Sequence, residues 1–260
     1  MTSLADRTIS AIADHHDALA EVVANLTEDE LTGPSGASEW SVAQVLSHLG
    51  SGAEIGLATF RALLTGGPIP DTDANQAVWD RWNAMSPREQ ADAFCEHDEH
   101  LLDAYEELTP DQRDHLDVKL PYLPEPLGIA TYVGMRLNEL ALHSWDARVA
   151  LDDSAGLDEE AAAVLAEHHA GGMGFMLGFT AKPDSLGRTA VVKAGDYRLV
   201  IADRVTLTTS NEDATATFEG PLEAFIRLIS GRLKPGYTPS DVAVTGDLTL
   251  DDLRNVFPGY

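Results

Sequence analysis

The chain has 260 residues, of which 44% are hydrophobic and 23% charged, a balance that is typical of folded globular proteins and excludes a disordered chain. Its 43 acidic and 17 basic residues give a formal net charge of −26, which opposes binding to nucleic acids or to an anionic membrane surface. We therefore expect neither as a partner. The length suits one large domain or two modest ones.

The single cysteine, Cys95, excludes a disulfide within the chain and a cysteine-rich zinc site. No cationic residue stands near it in sequence, which indicates a small buried side chain rather than a reactive thiol. The first residues lack the basic start and apolar core of an export signal, and no apolar run approaches the roughly 18 residues of a membrane span. These features predict a cytoplasmic protein.

Apolar residues at helical intervals predict a first helix over residues 2–26, with His15 and His16 at its surface. A loop rich in Gly, Pro and Ser then ends at Ser41, which begins an S-x-x-Q capping box and a second helix. His48 lies on the edge of the buried stripe of that helix. A partly buried histidine with one hydrogen bond and a metal ligand both fit this position.

A third helical region is predicted over residues 74–86 and, after Pro87 at a helix start, over 88–108. Its run HDEH at 97–100 is rich in acids and predicts a solvated helix face. The segment LPYLPEPLG at 120–128 contains three prolines, which exclude a helix and predict an extended conformation.

The fourth helix, predicted over residues 132–149, places Glu139 and His143 one turn apart on the same side. Such a pair can grip one metal ion, although an ordinary exposed pair has the same spacing. Four long helices favour a four-helix bundle over residues 1–152, and bundles build metal sites from facing helices. His48, Glu139 and His143 could meet in this way.

The character of the chain changes after Leu151. A linker precedes a helix rich in small residues, in which His168 and His169 lie near the C-terminal end, where the helix dipole favours histidine. Segments 189–195, 197–202, 204–210 and 214–220 are rich in β-branched residues and predict strands. A helix at 222–232, a strand at 242–246 and a helix at 250–256 follow. The sequence thus predicts an α+β domain over residues 153–260.

Two motifs in the first half resemble those of the mycothiol-dependent maleylpyruvate isomerase family: W-S-V-A-Q-V-L-S-H-L at 40–49 and N-E-L-A-L-H-S-W-D-A-R at 138–148. The second half resembles that family through F-E-G-P-L, S-G-R-L and V-A-V-T-G-D. The resemblance implies a mixed fold class of α plus α/β. A DinB-like four-helix bundle over 1–152 would be followed by a small α+β domain, related to sterol carrier proteins, over 153–260.

The resemblance also implies a divalent metal, usually zinc, bound by His48, Glu139 and His143. Three protein ligands leave a fourth position open, as in catalytic zinc sites. Asp146, three residues after His143, either orients its imidazole or is a surface carboxylate.

The thiol cofactor that the resemblance implies is mycothiol, a sugar-linked cysteine derivative of actinobacteria. Its thiolate would add to the cis double bond of maleylpyruvate, allow rotation and leave, giving fumarylpyruvate. Arg136 and Arg232 are candidates for binding the substrate carboxylates, whereas Arg81 is interpreted as a surface ion-pair partner. We expect a small-molecule acid and a low-molecular-weight thiol as partners of a monomer.

Other functions stay open at the level of sequence. The chain could be a transferase that attaches mycothiol to an electrophile, a hydrolase in which zinc activates water, or a small-molecule-binding module without catalysis. A stable thiol adduct as product would indicate the transferase, and activity without any thiol would indicate the hydrolase.

Overall fold

In the computed structural model, which describes residues 2–121 and 123–259, the chain divides into two units, Met1–Asp152 and Asp153–Tyr260. The first is mainly helical and the second combines helices with a sheet, so the predicted fold class is confirmed. Within the described ranges, no helix has the length and apolar character that crossing a membrane requires.

Seven helices and two short strands form the described part of the first unit. They are α1 (Leu4–Asn25), α2 (Glu28–Thr32), α3 (Val42–Thr65), α4 (Thr72–Asn83), α5 (Pro87–Glu106), α6 (Pro110–His115), β1 (Asp117–Val118), β2 (Leu127–Gly128) and α7 (Ile129–Arg148). Four long helices pack together: α1 and α3 each contact both α5 and α7. The predicted four-helix bundle is confirmed.

Local sequence signals set the starts of these helices. The Ser41 side chain accepts a hydrogen bond from the backbone of Gln44, and the Gln44 side chain accepts one from the Ser41 backbone, as the capping box predicts. Ser86 caps α5 in the same way, with Pro87 in the first turn. This cap separates α4 from α5, so the third helical region consists of two helices.

The proline-rich segment 120–128 ends in β2, whose two residues pair antiparallel with β1. An extended conformation is therefore confirmed at the end of the segment. Tyr122, within it, lies outside the described residues.

The predicted surface positions of His15 and His16 are wrong, since their exposed fractions are 5% and 7%. The acidic run of α5 is also not wholly solvated, because Asp98 is 1% exposed. Nδ1 of His16 lies 2.9 Å from Oδ2 of Asp98, and Nη2 of Arg136 lies 2.5 Å from Oδ1 of the same carboxylate. Three charged or polar groups from α1, α5 and α7 are thus buried together, which is possible because each has a partner.

We expect this network to make the stability of the first unit depend on pH. Burial alone would raise the pKa of Asp98, but the charge of Arg136 and the hydrogen bonds from His16 and Arg136 outweigh it and hold that pKa below 3.8. The hydrogen bond to Asp98 raises the pKa of His16 above 6.5 despite burial. Stabilisation from Asp98 is lost as pH falls through its lowered pKa. Stabilisation from His16 is complete below about pH 6.5 and is lost as pH rises through the raised pKa.

Urea unfolding followed by tryptophan fluorescence measures this dependence, because all four tryptophans lie in the first unit. The difference in unfolding free energy between wild type and His16→Gln is expected to be largest near about pH 5–6 and to shrink towards pH 9. His100→Gln, at an exposed position of α5, serves as the control. A His16→Gln difference that is constant over this pH range would contradict the assignment.

The second unit consists of a five-stranded sheet and four α-helices within the residues described. The elements are α8 (Glu159–Ala170), α9 (Leu177–Thr180), β3 (Ala190–Ala194), β4 (Tyr197–Ile201), β5 (Val205–Thr208), β6 (Ala216–Glu219), α10 (Leu222–Ile229), β7 (Ala243–Gly246) and α11 (Leu250–Val256). The strand order is β5-β4-β3-β6-β7, with β3 and β6 parallel and the other pairs antiparallel. Every predicted strand of this domain is present.

Two details of the second unit differ from the sequence prediction. Helix α10 ends at Ile229, so Arg232 lies in the turn beyond it, after Gly231 at a φ of 74°. His168 and His169 are 1% and 5% exposed, and burial, together with the neighbouring His168, lowers the pKa of His169 to about 4. The helix dipole therefore does not keep His169 protonated at neutral pH, because desolvation is the larger effect.

Candidate metal centre and adjoining cavity

Side chains from two helices that pack against each other, α3 and α7, converge in the first unit. His48 comes from α3, and Glu139 and His143 come from successive turns of α7; their ligand atoms all lie within 4.8 Å of one another. Oε2 of Glu139 lies 3.1 Å from Nε2 of His48 and 3.6 Å from Nε2 of His143. The structure thus brings together the three residues that the sequence singled out. No other such group of His, Cys, Asp or Glu is found in residues 2–121 and 123–259.

The exposure of these side chains leaves the group open on one side. The side chains of His48 and Glu139 are each 41% exposed, whereas that of His143 is 14% exposed. A further ligand can therefore approach the group from solvent, which is the arrangement of catalytic rather than closed structural zinc sites.

The carboxyl group of Glu139 is ionised at neutral pH. Although its side chain is partly exposed, the surrounding protein desolvates the carboxyl group, which would raise its pKa. The hydrogen bond with His48 and the charges of His143, His48 and Arg136 outweigh this desolvation and lower the pKa to about 2. A carboxylate and two imidazole nitrogens are a ligand set that zinc and related divalent metals accept. The chemistry of the donors therefore fits a metal ion.

The imidazole of His143 lies between two carboxylates, that of Glu139 on one side and the buried one of Asp146 on the other. Its Nδ1 lies 2.9 Å from Oδ2 of Asp146, which is within the distance of an ion pair. Because Nδ1 faces Asp146, Nε2 faces Glu139 and is the nitrogen available to a metal. Asp146 is 1% exposed, which excludes the alternative that it is a surface carboxylate.

The loop before α3 packs against α7 at this same carboxylate. The backbone N–H of Gly36 donates a hydrogen bond to the carbonyl of Asp146 at 2.7 Å. A Cβ at Gly36 would lie 2.7 Å from Cγ1 of Val149 and 3.1 Å from Oδ1 of Asp146. Glycine at this position therefore lets the loop approach the helix that carries two of the three converging side chains.

The side chain of Arg136 is buried and hydrogen-bonded to other parts of the protein, so it is not exposed to solvent. Its exposed fraction is 8%, and its Nη2 donates hydrogen bonds to Asp98 and, at 3.1 Å, to the carbonyl of Leu49, the residue after His48. These contacts tie α7 to α3 beside the converging side chains.

The other two arginines considered from sequence are also engaged. Arg81 forms an ion pair with Glu54, which agrees with its interpretation as an ion-pair partner. Arg232 belongs to the second unit, where its Nη1 donates to the carbonyl of Ser230 at 3.3 Å. Its role in binding a substrate carboxylate stays a prediction.

A cavity of about 190 Å³ adjoins His48 and was not indicated by the sequence. Its walls are formed by Trp40, Gln44, Ser47, His48, Ser51, Trp79, Trp82 and Asn83. Three of the four tryptophans in the chain thus meet here. The ring centroid of Trp40 also lies 5.1 Å from that of His48 and 6.0 Å from that of His143. The spacing of Trp79 and Trp82, three residues apart on one helix face, was the signal that could have revealed it.

Comparison with known proteins relates the chain to one family. The family model described as "Mycothiol maleylpyruvate isomerase N-terminal domain" matches residues 12–148, which is more than half of the chain and includes all three converging side chains. No curated protein matches the sequence.

Two solved structures are similar over 100% of both chains, each with a TM-score of 0.64. One is the crystal structure of the mycothiol-dependent maleylpyruvate isomerase, with 16% sequence identity. The other is a variant of that enzyme in which one histidine is replaced by alanine, with 15% identity. At this identity the likeness establishes a shared fold.

Proposed function

Because the chain belongs to the mycothiol maleylpyruvate isomerase N-terminal domain family, we propose that it is a metal-dependent enzyme that uses mycothiol. Its substrate would be a small electrophilic acid such as maleylpyruvate, and the reaction an isomerisation or a thiol transfer. The observation that carries this proposal is the convergence of His48, Glu139 and His143 on one point with an open side. Zinc is the proposed metal, because the donors are two imidazoles and a carboxylate.

The nucleophile would have to come from outside the chain. Burial and the nearby charges of Asp92 and Asp98 raise the pKa of the Cys95 thiol to about 11, so this residue is protonated at neutral pH. A metal bound by the three side chains supplies a Lewis acid that favours the thiolate form of the mycothiol sulfur. The open side of the group supports the entry of such a thiol.

The surrounding residues would orient the ligands. Asp146 faces Nδ1 of His143 and favours the tautomer in which Nε2 is free to bind a metal. Trp40 packs beside both imidazoles and restricts the side from which they can be approached.

The two proposed arginines receive different roles. We assign Arg136 to support of Glu139, because its charge lowers the pKa of that carboxyl group and its Nη2 is held by Asp98 and Leu49. Arg232 is retained as the proposed residue for a substrate carboxylate, since a dianionic acid needs a cation in a chain of net charge −26.

An assay with maleylpyruvate tests the proposal. Zinc-loaded protein is mixed with maleylpyruvate, with and without mycothiol, and fumarylpyruvate and thiol adducts are measured by mass spectrometry. We expect turnover only when both zinc and mycothiol are present, and none in His48→Ala. A stable adduct as the sole product would favour the transferase. Formation of fumarylpyruvate without thiol would contradict the proposal, and formation of maleate and pyruvate without thiol would indicate a hydrolase.

A further inference from the structure

We propose that the cavity beside His48 binds the uncharged sugar portion of the thiol. This inference rests on the proposed function, because it concerns the compound whose sulfur would reach the converging side chains. It adds a binding site, on α3 and α4, that the metal ligands alone do not define.

The chemistry of the walls indicates a neutral polyhydroxylated ligand. Among the lining residues, three are tryptophans and four are short hydroxyl or amide side chains, and none is Asp, Glu, Lys or Arg. Tryptophan faces pack against the C–H faces of a sugar ring, and serine, asparagine and glutamine both donate and accept hydrogen bonds from hydroxyl groups. An anionic acid would find no cation here, which separates this site from that of the electrophilic substrate.

The position of the cavity suits a ligand attached to the metal. His48 lines the cavity and also belongs to the converging group, so a thiol that reaches the group would place its attached ring next to that imidazole. The volume of about 190 Å³ is many times the roughly 10–15 Å³ that one bound water molecule requires. The cavity is therefore large enough for a ring-sized group of a ligand.

One wall of the cavity is rigid. Trp82 is fully buried, and its Nε1 donates a hydrogen bond to Oε2 of Glu54 at 2.9 Å. A Cβ at Gly50 would lie 2.2 Å from Cη2 of Trp82, so the indole occupies the space that a larger residue of α3 would fill. A wall fixed before binding reduces the entropy that a ligand would lose.

The mouth of the cavity carries two exposed indoles. Trp40 and Trp79 are 38% and 42% exposed, although tryptophan is usually well buried. Exposed tryptophans beside a cavity are typical of binding surfaces, where they become covered by the ligand. Asn83 lies one helical turn after Trp79, on the same face of α4.

Calorimetric titration of the zinc-loaded full chain tests this assignment with two thiol-blocked probes. S-methyl mycothiol contains the sugar portion, whereas the methylamide of N-acetyl-S-methylcysteine lacks it and is uncharged as well. We expect wild type to bind S-methyl mycothiol at least about tenfold more tightly than the cysteine derivative. Trp79→Ala should weaken S-methyl mycothiol roughly three- to tenfold, the range that one aromatic stacking contact supplies, and leave the cysteine derivative unchanged.

Three further variants sharpen the test. Asn83→Ala should also weaken only the sugar-containing probe, and Trp79→Phe should retain most of the affinity. Gln76→Ala is the matched control, because Gln76 is an exposed residue of the same helix that bonds to Asp80 and does not line the cavity. Zinc content, measured by mass spectrometry, should stay the same in all of them.

Two outcomes would overturn the inference in distinguishable ways. If wild type prefers S-methyl mycothiol but Trp79→Ala and Asn83→Ala keep the full preference, the sugar binds elsewhere and the proposed function stands. If wild type binds neither S-methyl mycothiol nor mycothiol with its free thiol, both the inference and the proposed function are wrong.

Discussion

Replacing Glu139 with alanine is expected to lower the zinc affinity of the protein by more than about 100-fold. Changes to outer partners of a metal ligand typically cost 10- to 100-fold, and Glu139 would be a direct ligand. Its ionised carboxylate lies between the imidazoles of His48 and His143, so its removal leaves two imidazole nitrogens and no anionic ligand. The same loss is expected for His48→Ala and His143→Ala. Plasma mass spectrometry of protein purified without chelator measures the metal content, and competition with a chromophoric chelator measures the affinity.

Two further variants show whether the loss is specific to this site. His100→Ala removes an exposed histidine of α5 and should leave zinc binding unchanged. Asp146→Ala should give an intermediate loss of roughly 10- to 100-fold, because it only orients His143. Near-stoichiometric zinc in Glu139→Ala, or no metal in folded wild type, would refute the metal centre.

Replacing Asp98 with alanine is expected to destabilise the first unit by about 3–5 kcal/mol. The carboxylate is 1% exposed and contacts both His16 and Arg136. Its removal leaves the guanidinium of Arg136 buried without its anionic partner, which costs more than the ion pair itself contributes. Urea unfolding followed by tryptophan fluorescence measures this loss for the first unit, since it contains all four tryptophans.

The matched control for Asp98→Ala is Asp103→Ala, an exposed acid on the same helix, which should change stability by no more than about 0.5 kcal/mol. Arg136→Ala should be destabilising as well, and the double variant should be more stable than the sum of the two losses implies, because the two groups are in contact. Additive losses, or a small effect of Asp98→Ala, would show that the pair is not coupled.

The convergence of the three side chains could be predicted from sequence because most of its signal is local. Glu139 and His143 are four residues apart in a segment whose buried stripe includes Val133 and Leu137, so helical periodicity alone places them on one face. Predicting that His48 lies beside them required a further assumption. Only if α3 faces α7 in a bundle does His48 come close to Glu139 and His143. The capping signal at Ser41 located the start of its helix correctly.

The buried network could not be predicted because its partners are distant in sequence. His16 and Asp98 are 82 positions apart, and Arg136 and Asp98 are 38 apart. An acidic run such as residues 97–100 usually indicates a solvated face, and no local pattern distinguishes the one acid that is paired with cations on other helices. The spacing of Trp79 and Trp82 places both indoles on one face of α4, but the depth of the cavity depends on how Trp82 packs against Gly50 of α3, which no local pattern specifies.

The division of the chain into two contiguous units has a consequence for its biosynthesis. His48, Glu139 and His143 all precede residue 152, the last residue of the first unit. On the ribosome, the whole bundle can leave the exit tunnel while later residues are still being translated, and domains generally fold in that order. The three side chains would then be brought together before the sheet of the second unit has been synthesised, so the proposed metal ion would have its complete set of protein ligands while translation continues.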